Sequence, residues 1–149
     1  MRTVIQRVEQ AKVYINSKLH SSVNRGLLIF LGITTDDGEE DINWLCKKIS
    51  GLRIFADNNQ KMNLSVVDTD GEIMVISQFT LYANIKKGNR PSYTKAATPE
   101  IAIPLYQQFI DTLAQQLNQK IKTGQFGADM NIELINSGPV TIMMDSKDR

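Results

Sequence analysis

The chain has 149 residues, of which 42% are hydrophobic and 22% charged, and its formal net charge is +1. That length and balance fit one globular domain with a sizeable core, and near-neutrality argues against coating a long nucleic acid such as DNA while leaving room for a local basic patch. A single cysteine, Cys46, and a single histidine, His20, exclude a disulfide framework and leave almost nothing to hold a metal.

A reducing, cytoplasmic setting with no membrane and no cofactor is therefore expected. No apolar run reaches about 18 residues, and Met1 to Val4 alternates like a strand and not like a signal peptide.

In chain order, Thr3–Val8 and Lys12–Ile15 alternate apolar with polar residues, and Leu19–Val23 follows the turn-like Asn16-Ser17-Lys18. The pattern predicts successive antiparallel strands. His20 reads as a solvated strand histidine, with no acid or nucleophile near it in sequence. Gly26–Ile33 is a continuous apolar run bounded by glycines and reads as a buried central strand.

Asp36 to Asp41 is acidic and suits a helix start, where the positive end of the dipole favours carboxylates. Ile42, Leu45, Cys46, Ile49 and Leu52 follow at helical spacing, with Lys47 and Lys48 late and Gly51 to close the last turn. Cys46 falls on the apolar face, as a small buried hydrophobe and not as a nucleophile. Arg53–Ala56 and Met62–Val67 read as strands. The second is expected to pair as a hairpin, through Asp68-Thr69-Asp70-Gly71, with a strand beginning at Glu72.

That last strand is where chemistry enters. Ile73 to Ile76 is wholly apolar, then Ser77, Gln78 and Thr80 place two hydroxyls and an amide within four residues, interleaved with Phe79 and Leu81. Polar groups at the end of a buried strand need partners or a function. After Ala83 comes a long irregular segment, residues 84 to 95, carrying Lys86, Lys87, Arg90, Lys95 and Tyr93. Loops of this length in a compact domain tend to be functional, and cations around an aromatic ring can hold a phosphate and a base.

Thr98-Pro99 opens a long helix whose stripe, Ile101, Leu105, Phe109, Leu113, Leu117 and Ile121, faces the core, with Pro104 expected to kink it or delay its start. Phe126–Ile135 reads as a strand. Gly138-Pro139, between it and Val140-Thr141-Ile142, reads as a turn. The residues alone thus predict one α+β domain, 1–149, with mostly antiparallel strands and two helices packed on them. They contain no H-E-x-x-H, no paired carboxylates in a shared motif and no phosphate-loop signature. Catalysis here would lean on backbone dipoles, hydroxyls or the substrate itself.

Ser77-Gln78-Phe79-Thr80-Leu81 together with Asn136-Ser137-Gly138-Pro139-Val140-Thr141 resembles the D-aminoacyl-tRNA deacylase family. Further matches are Ile5-Gln6-Arg7-Val8, Gly51-Leu52-Arg53-Ile54-Phe55, Lys61-Met62-Asn63-Leu64, Arg90-Pro91-Ser92 and Phe126-Gly127-Ala128-Asp129-Met130, in the expected order across nearly the whole chain. The family often has Asp where this chain has Ser137, a departure that leaves the Gly-Pro step untouched.

The resemblance implies a homodimer of β-barrel-like subunits that hydrolyses the ester joining a D-amino acid to the tRNA 3′ end. It implies a cis Gly138-Pro139 bond that reaches into the partner's active site and rejects L-amino acids, with Ser77, Gln78, Phe79 and Thr80 lining the pocket of the other subunit. Phe126, Met130, Lys86, Lys87 and Arg90 fall on the substrate side. The alternative from the residues alone is a non-enzymatic RNA-binding module that uses the basic 86–95 loop.

Overall fold

A computed structural model describes residues 1–86 and 88–149; Lys87, one of the expected cationic residues, lies outside the described residues. Among the described residues eight strands and two α-helices follow one another as β1 (Arg2–Ile15), β2 (Lys18–Val23), β3 (Gly26–Gly32), α1 (Glu39–Ser50), β4 (Phe55–Ala56), β5 (Met62–Leu64), β6 (Glu72–Ser77), α2 (Pro99–Leu117), β7 (Lys122–Thr123) and β8 (Asn131–Asp145). A 3-10 turn, Phe79–Tyr82, follows β6.

The main sheet runs β2-β1-β3-β6-β7, with β8 pairing on β1. The pairs β1–β2, β1–β3 and β1–β8 are antiparallel, whereas β3–β6 and β6–β7 are parallel. The sheet curls until its two ends meet, and the Ser21 hydroxyl on β2 donates to the Thr123 carbonyl on β7 at 2.6 Å. The result is a nearly closed, barrel-like mixed sheet.

Two apolar layers explain the continuous hydrophobic runs. Leu27, Ile29 and Leu31 of β3, with Ile73 and Val75 of β6, face a core shared with Leu45 and Ile49 of α1 and Phe109 and Leu113 of α2. The alternate residues Leu28, Met74 and Ile76 face the barrel interior with Val8, Ala11 and Val13. Strands buried on both faces lose the polar half of the alternation. Cys46 lies in the helix layer, its thiol directed at the Phe109 carbonyl at 3.6 Å and its pKa pushed up to about 12 by burial, which removes it as a nucleophile. Phe109 is completely buried in this layer. Phe109→Ala should lower unfolding stability by about 3–5 kcal/mol, measured by urea denaturation, and a loss below about 1 kcal/mol would show that the helices do not depend on this contact.

Several expected boundaries are corrected. The two strands at 3–8 and 12–15 are one, because β1 slips register against β8 around Val8 and against β2 at Val13 and so bends without breaking. The Asn16-Ser17 turn holds, with both residues at positive φ as a two-residue hairpin requires. No hairpin delivers Ser77: Met62–Val67 shortens to β5, which pairs with β4, while β6 lies parallel beside β3.

Pro104 does not delay α2, which begins at Pro99. Only the proline's own N–H is missing from the ladder, and both Pro104 and the Glu100 residue whose carbonyl it leaves open are exposed to water. The helix ends at Leu117, where Asn118 adopts the left-handed conformation at φ 49°, short of the expected Ile121. Residues 126–130 are not strand. β8 starts at Asn131 and runs on through Gly138-Pro139, a cis bond that lies in the register break opposite Arg7, inside a strand and not a turn between two. None of the helices among the described residues is long and apolar enough to cross a membrane.

Candidate active site

β6 ends the parallel ladder with Ser77 beside Leu31 of β3, and the Gln78 N–H then donates to the Leu31 carbonyl at 2.7 Å. From there the chain folds back over β3 as the Phe79–Tyr82 turn. Glycine at position 32 permits this, since a Cβ there would lie 2.9 Å from the Leu81 Cβ and 3.0 Å from the Gln78 carbonyl oxygen. The hydrogen bonds of the segment run from Leu81 N to Gln78 O and from Ala83 N to Thr80 O. The first N–H groups of a helical turn, here those of Phe79 and Thr80, have no acceptor within it and remain available to a ligand.

Beside this turn opens a cleft of about 580 Å³. Ser77, Gln78 and Phe79 line one side, and Phe126, Met130 and Ile132 line the other, over an apolar floor that includes Leu31, Ile33 and Ile76. The sequence-expected Ser77, Gln78, Phe79, Phe126 and Met130 therefore meet at one place. Phe126 is held by an edge-on contact with Tyr106, whose hydroxyl donates to the Val75 carbonyl at 2.8 Å and so ties α2 to β6. Thr80 is half-buried, and its hydroxyl accepts a hydrogen bond from the Gln78 amide nitrogen.

Phe79 is 55% exposed and Tyr93 39%, and their rings meet edge-on at 5.0 Å at the mouth of the cleft. Paired backbone bonds join Asn84 to Ser92, and Lys86, Arg90 and Lys95 are exposed. His20 is exposed on β2, away from the cleft lining. Among the described residues no group of three His, Cys, Asp or Glu side chains could hold a metal. The cleft lining thus offers N–H donors, the Ser77 and Tyr93 hydroxyls, the Gln78 amide, an apolar wall and one carboxylate, Asp129, with no histidine or lysine among the described lining residues to pair with it.

Gly138 and Pro139 do not reach this cleft. They lie where β8 passes Gln6 to Val8 of β1, which is level with Leu27 and Ile73, whereas Ser77 sits beside Leu31, four residues further along the sheet. At about 3.3 Å per residue that is roughly 13 Å. Arg7, part of a matched motif but given no role from the sequence, anchors the Gly-Pro segment. Its Nε donates to the Ser137 carbonyl at 3.1 Å, its guanidinium also reaches the Ile54 carbonyl, and a Cβ on Gly138 would sit 2.6 Å from Arg7 Nη2. Ser137, half-buried, donates to Glu9 at 2.6 Å, and Asn136 accepts from the Val140 N–H at 3.2 Å, so the segment is braced on both sides.

The family model described as D-Tyr-tRNA(Tyr) deacylase matches residues 4–145. This chain belongs to the D-Tyr-tRNA(Tyr) deacylase family. Among curated relatives, the D-aminoacyl-tRNA deacylase of Flavobacterium psychrophilum is 60% identical, and that of Bacteroides thetaiotaomicron 57%, each over all of this chain and 99% of the relative. A solved structure described as c-Myc DNA Unwinding Element Binding Protein is 37% identical with a TM-score of 0.93, covering 97% of this chain and 98% of the other. A second, described as a probable eukaryotic D-amino acid tRNA deacylase, superposes with a TM-score of 0.82 at 15% identity over 96% of this chain, which speaks for the deacylase fold alone.

Proposed function

We propose that this protein hydrolyses the ester that joins a D-amino acid, or glycine, to the 3′ end of tRNA, releasing the free amino acid and the tRNA. The observation that carries this reading is the cleft at the end of β6. It brings Ser77, Gln78 and Phe79 against an apolar wall, with Thr80 next in the turn and no acceptor for the Phe79 and Thr80 N–H groups among the described residues, in a member of a deacylase family. An aminoacyl ester is already activated relative to an amide, so the site need supply mainly orientation and oxyanion donors. Water attacks the ester carbonyl, the developing oxyanion lies on the N–H groups of Phe79 and Thr80, and the ribose 3′-oxygen leaves with a proton. The neighbouring 2′-OH positions the water and relays that proton, the role a histidine would otherwise fill. A tRNA-acting enzyme of this kind works in the cytoplasm.

Gly138 and Pro139 serve a second copy in this reading. Both are exposed and about 13 Å along the sheet from their own cleft, so they act as a steric filter only by entering the cleft of a partner in a homodimer. Backbone at that position excludes an L side chain by collision and makes no demand for a D side chain.

Incubation with D-tyrosyl-tRNA and L-tyrosyl-tRNA tests the function: the D ester should be cleaved and the L ester spared. Protection of both esters would establish instead the RNA-binding module, in which Phe79 and Tyr93 with the nearby cations hold single-stranded RNA and Ser77 to Thr80 are structural.

Thr80→Ala separates assisted hydrolysis from a Thr80 nucleophile. Its hydroxyl is engaged by Gln78 and touches no base, so a hydrogen bond and a methyl are lost and the rate should fall about tenfold, equivalent to roughly 1–2 kcal/mol. A fall beyond about a thousandfold with the fold intact would make Thr80 the nucleophile. The loop cations are tested by salt. Neutralising Lys86 or Arg90 should weaken tRNA binding for all substrates alike and flatten the salt dependence by about one unit of slope, with enantiomer preference unchanged. A mutant with the parental slope would remove that residue from the interface.

A further inference from the structure

We propose that Arg2 is a positioning residue for this site: it clamps the Phe79–Tyr82 turn onto the sheet and so holds the Phe79 and Thr80 N–H groups where the oxyanion forms. The inference rests on the deacylase reading for its catalytic consequence, and on geometry for the clamp itself.

Arg2 sits on β1 directly across from Gly32 of β3, the residue over which the turn folds back. One nitrogen of its guanidinium, Nη1, donates to the Leu81 carbonyl at 3.2 Å, and the guanidinium carbon lies 4.6 Å from the centroid of the Tyr82 ring. Nε donates to Asp145 at 2.7 Å, and Asp145 is Arg2's neighbour across the β1–β8 ladder. One planar group thus joins β8, β1 and the last two residues of the turn. Gly32 removes the side chain that would hold the turn off the sheet, and Arg2 supplies the contacts that keep it there.

The Asp145 carboxyl supports this arrangement. Burial pushes its pKa up, yet the hydrogen bond from Arg2 and one from the Lys147 N–H bring it below its ordinary value, so the pair is charged at neutral pH. Tyr82 is buried with its hydroxyl unpartnered among the described residues, so its ring is fixed by packing and by the guanidinium above it. Only a planar fork can donate to a carboxylate and a carbonyl while lying over a ring. A lysine ammonium at position 2 would keep the charge and lose the geometry.

The test compares Arg2→Lys and Arg2→Ala with the parent by two measurements, amide hydrogen exchange and steady-state cleavage of D-tyrosyl-tRNA. In both variants the Leu81 and Ala83 amides, which close the turn, should exchange at least about tenfold faster, while amides in the β1–β3 ladder stay as they were. kcat should fall about tenfold or more with KM held within about twofold, because the turn stabilises the transition state and does not bind the tRNA body. Added guanidinium ion should restore part of the kcat of Arg2→Ala and none of that of Arg2→Lys.

Arg2→Lys keeps an ion pair with Asp145, so it guards against plain unfolding. If it matches the parent in exchange and in kcat, Arg2 serves only as a charge and the proposal is overturned. Parental protein that leaves D-tyrosyl-tRNA intact would overturn the deacylase reading, and the exchange data would still decide the clamp.

Discussion

A D-aminoacyl-tRNA that ends in a 2′-deoxyribose should be hydrolysed at least about a thousandfold more slowly than its ribose counterpart. The expectation comes from what surrounds the cleft. His20 is on β2 and exposed, Cys46 is buried in the helix layer, and the cleft lining contains one carboxylate, Asp129, which is itself exposed. The Thr80 hydroxyl is taken by the Gln78 amide, and among the described residues no hydrogen bond joins it to a base. In the proposed assisted mechanism, proton transfer during ester cleavage is handled by the substrate. A hydroxyl held next to the reacting carbonyl is worth effective molarities that a free water cannot match. Single-turnover cleavage of the two substrates under saturating enzyme gives the ratio directly. Equal rates would end the assisted mechanism and return attention to the protein's own hydroxyls at Ser77 and Thr80.

If the proposed homodimer forms the site, separating its subunits should abolish activity altogether, by more than about a hundredfold. On β8, Ile135 and Met143 flank the Gly-Pro segment, and Met143 is 73% exposed opposite Val4 of β1. A charge placed there, as in Met143→Glu, should cost an apolar contact between copies a desolvation penalty while touching nothing in the core. Sedimentation should then report a folded monomer, and such a monomer should cleave neither D-tyrosyl-tRNA nor glycyl-tRNA. The intact dimer should cleave both and spare L-alanyl-tRNA, because a filter made of backbone at Gly138 and Pro139 collides with an L side chain and has nothing to say about a missing one. A fully active, enantioselective monomer would move the filter back into the subunit's own cleft. Glycyl-tRNA left intact by a dimer that clears D-tyrosyl-tRNA would mean that a side-chain pocket reads the substrate and that the filter idea is wrong.

What the sequence determined by itself is what local physics determines. The apolar runs at Gly26–Ile33 and Ile73–Ile76 could only be buried strands, because no polar residue offered a solvent face. α1 was legible from its acidic first turn, its apolar spacing and Gly51, and the Asn16-Ser17 hairpin from residues that tolerate positive φ. The polar break beginning at Ser77 singled out Ser77 and Gln78, which the structure places in the cleft lining, because such groups are costly at the end of a buried strand unless they find partners or a use.

Only the tertiary structure decided how these pieces meet. β6 pairs parallel with β3 instead of closing a hairpin with β5, since strand partners are chosen by non-local burial that no window of sequence contains. The same holds for Phe126 and Met130, which sit across the cleft from Ser77 although about fifty residues separate them in the chain. It holds for Arg7 and Arg2, whose partners at Ser137, Ile54, Leu81 and Asp145 lie far from them in sequence. It holds above all for Gly138-Pro139. By its residues that step reads as a turn, and it became the middle of a long strand, about four residues along the sheet from its own cleft, because the ladder to β1 on either side of it outweighs the local preference for a turn.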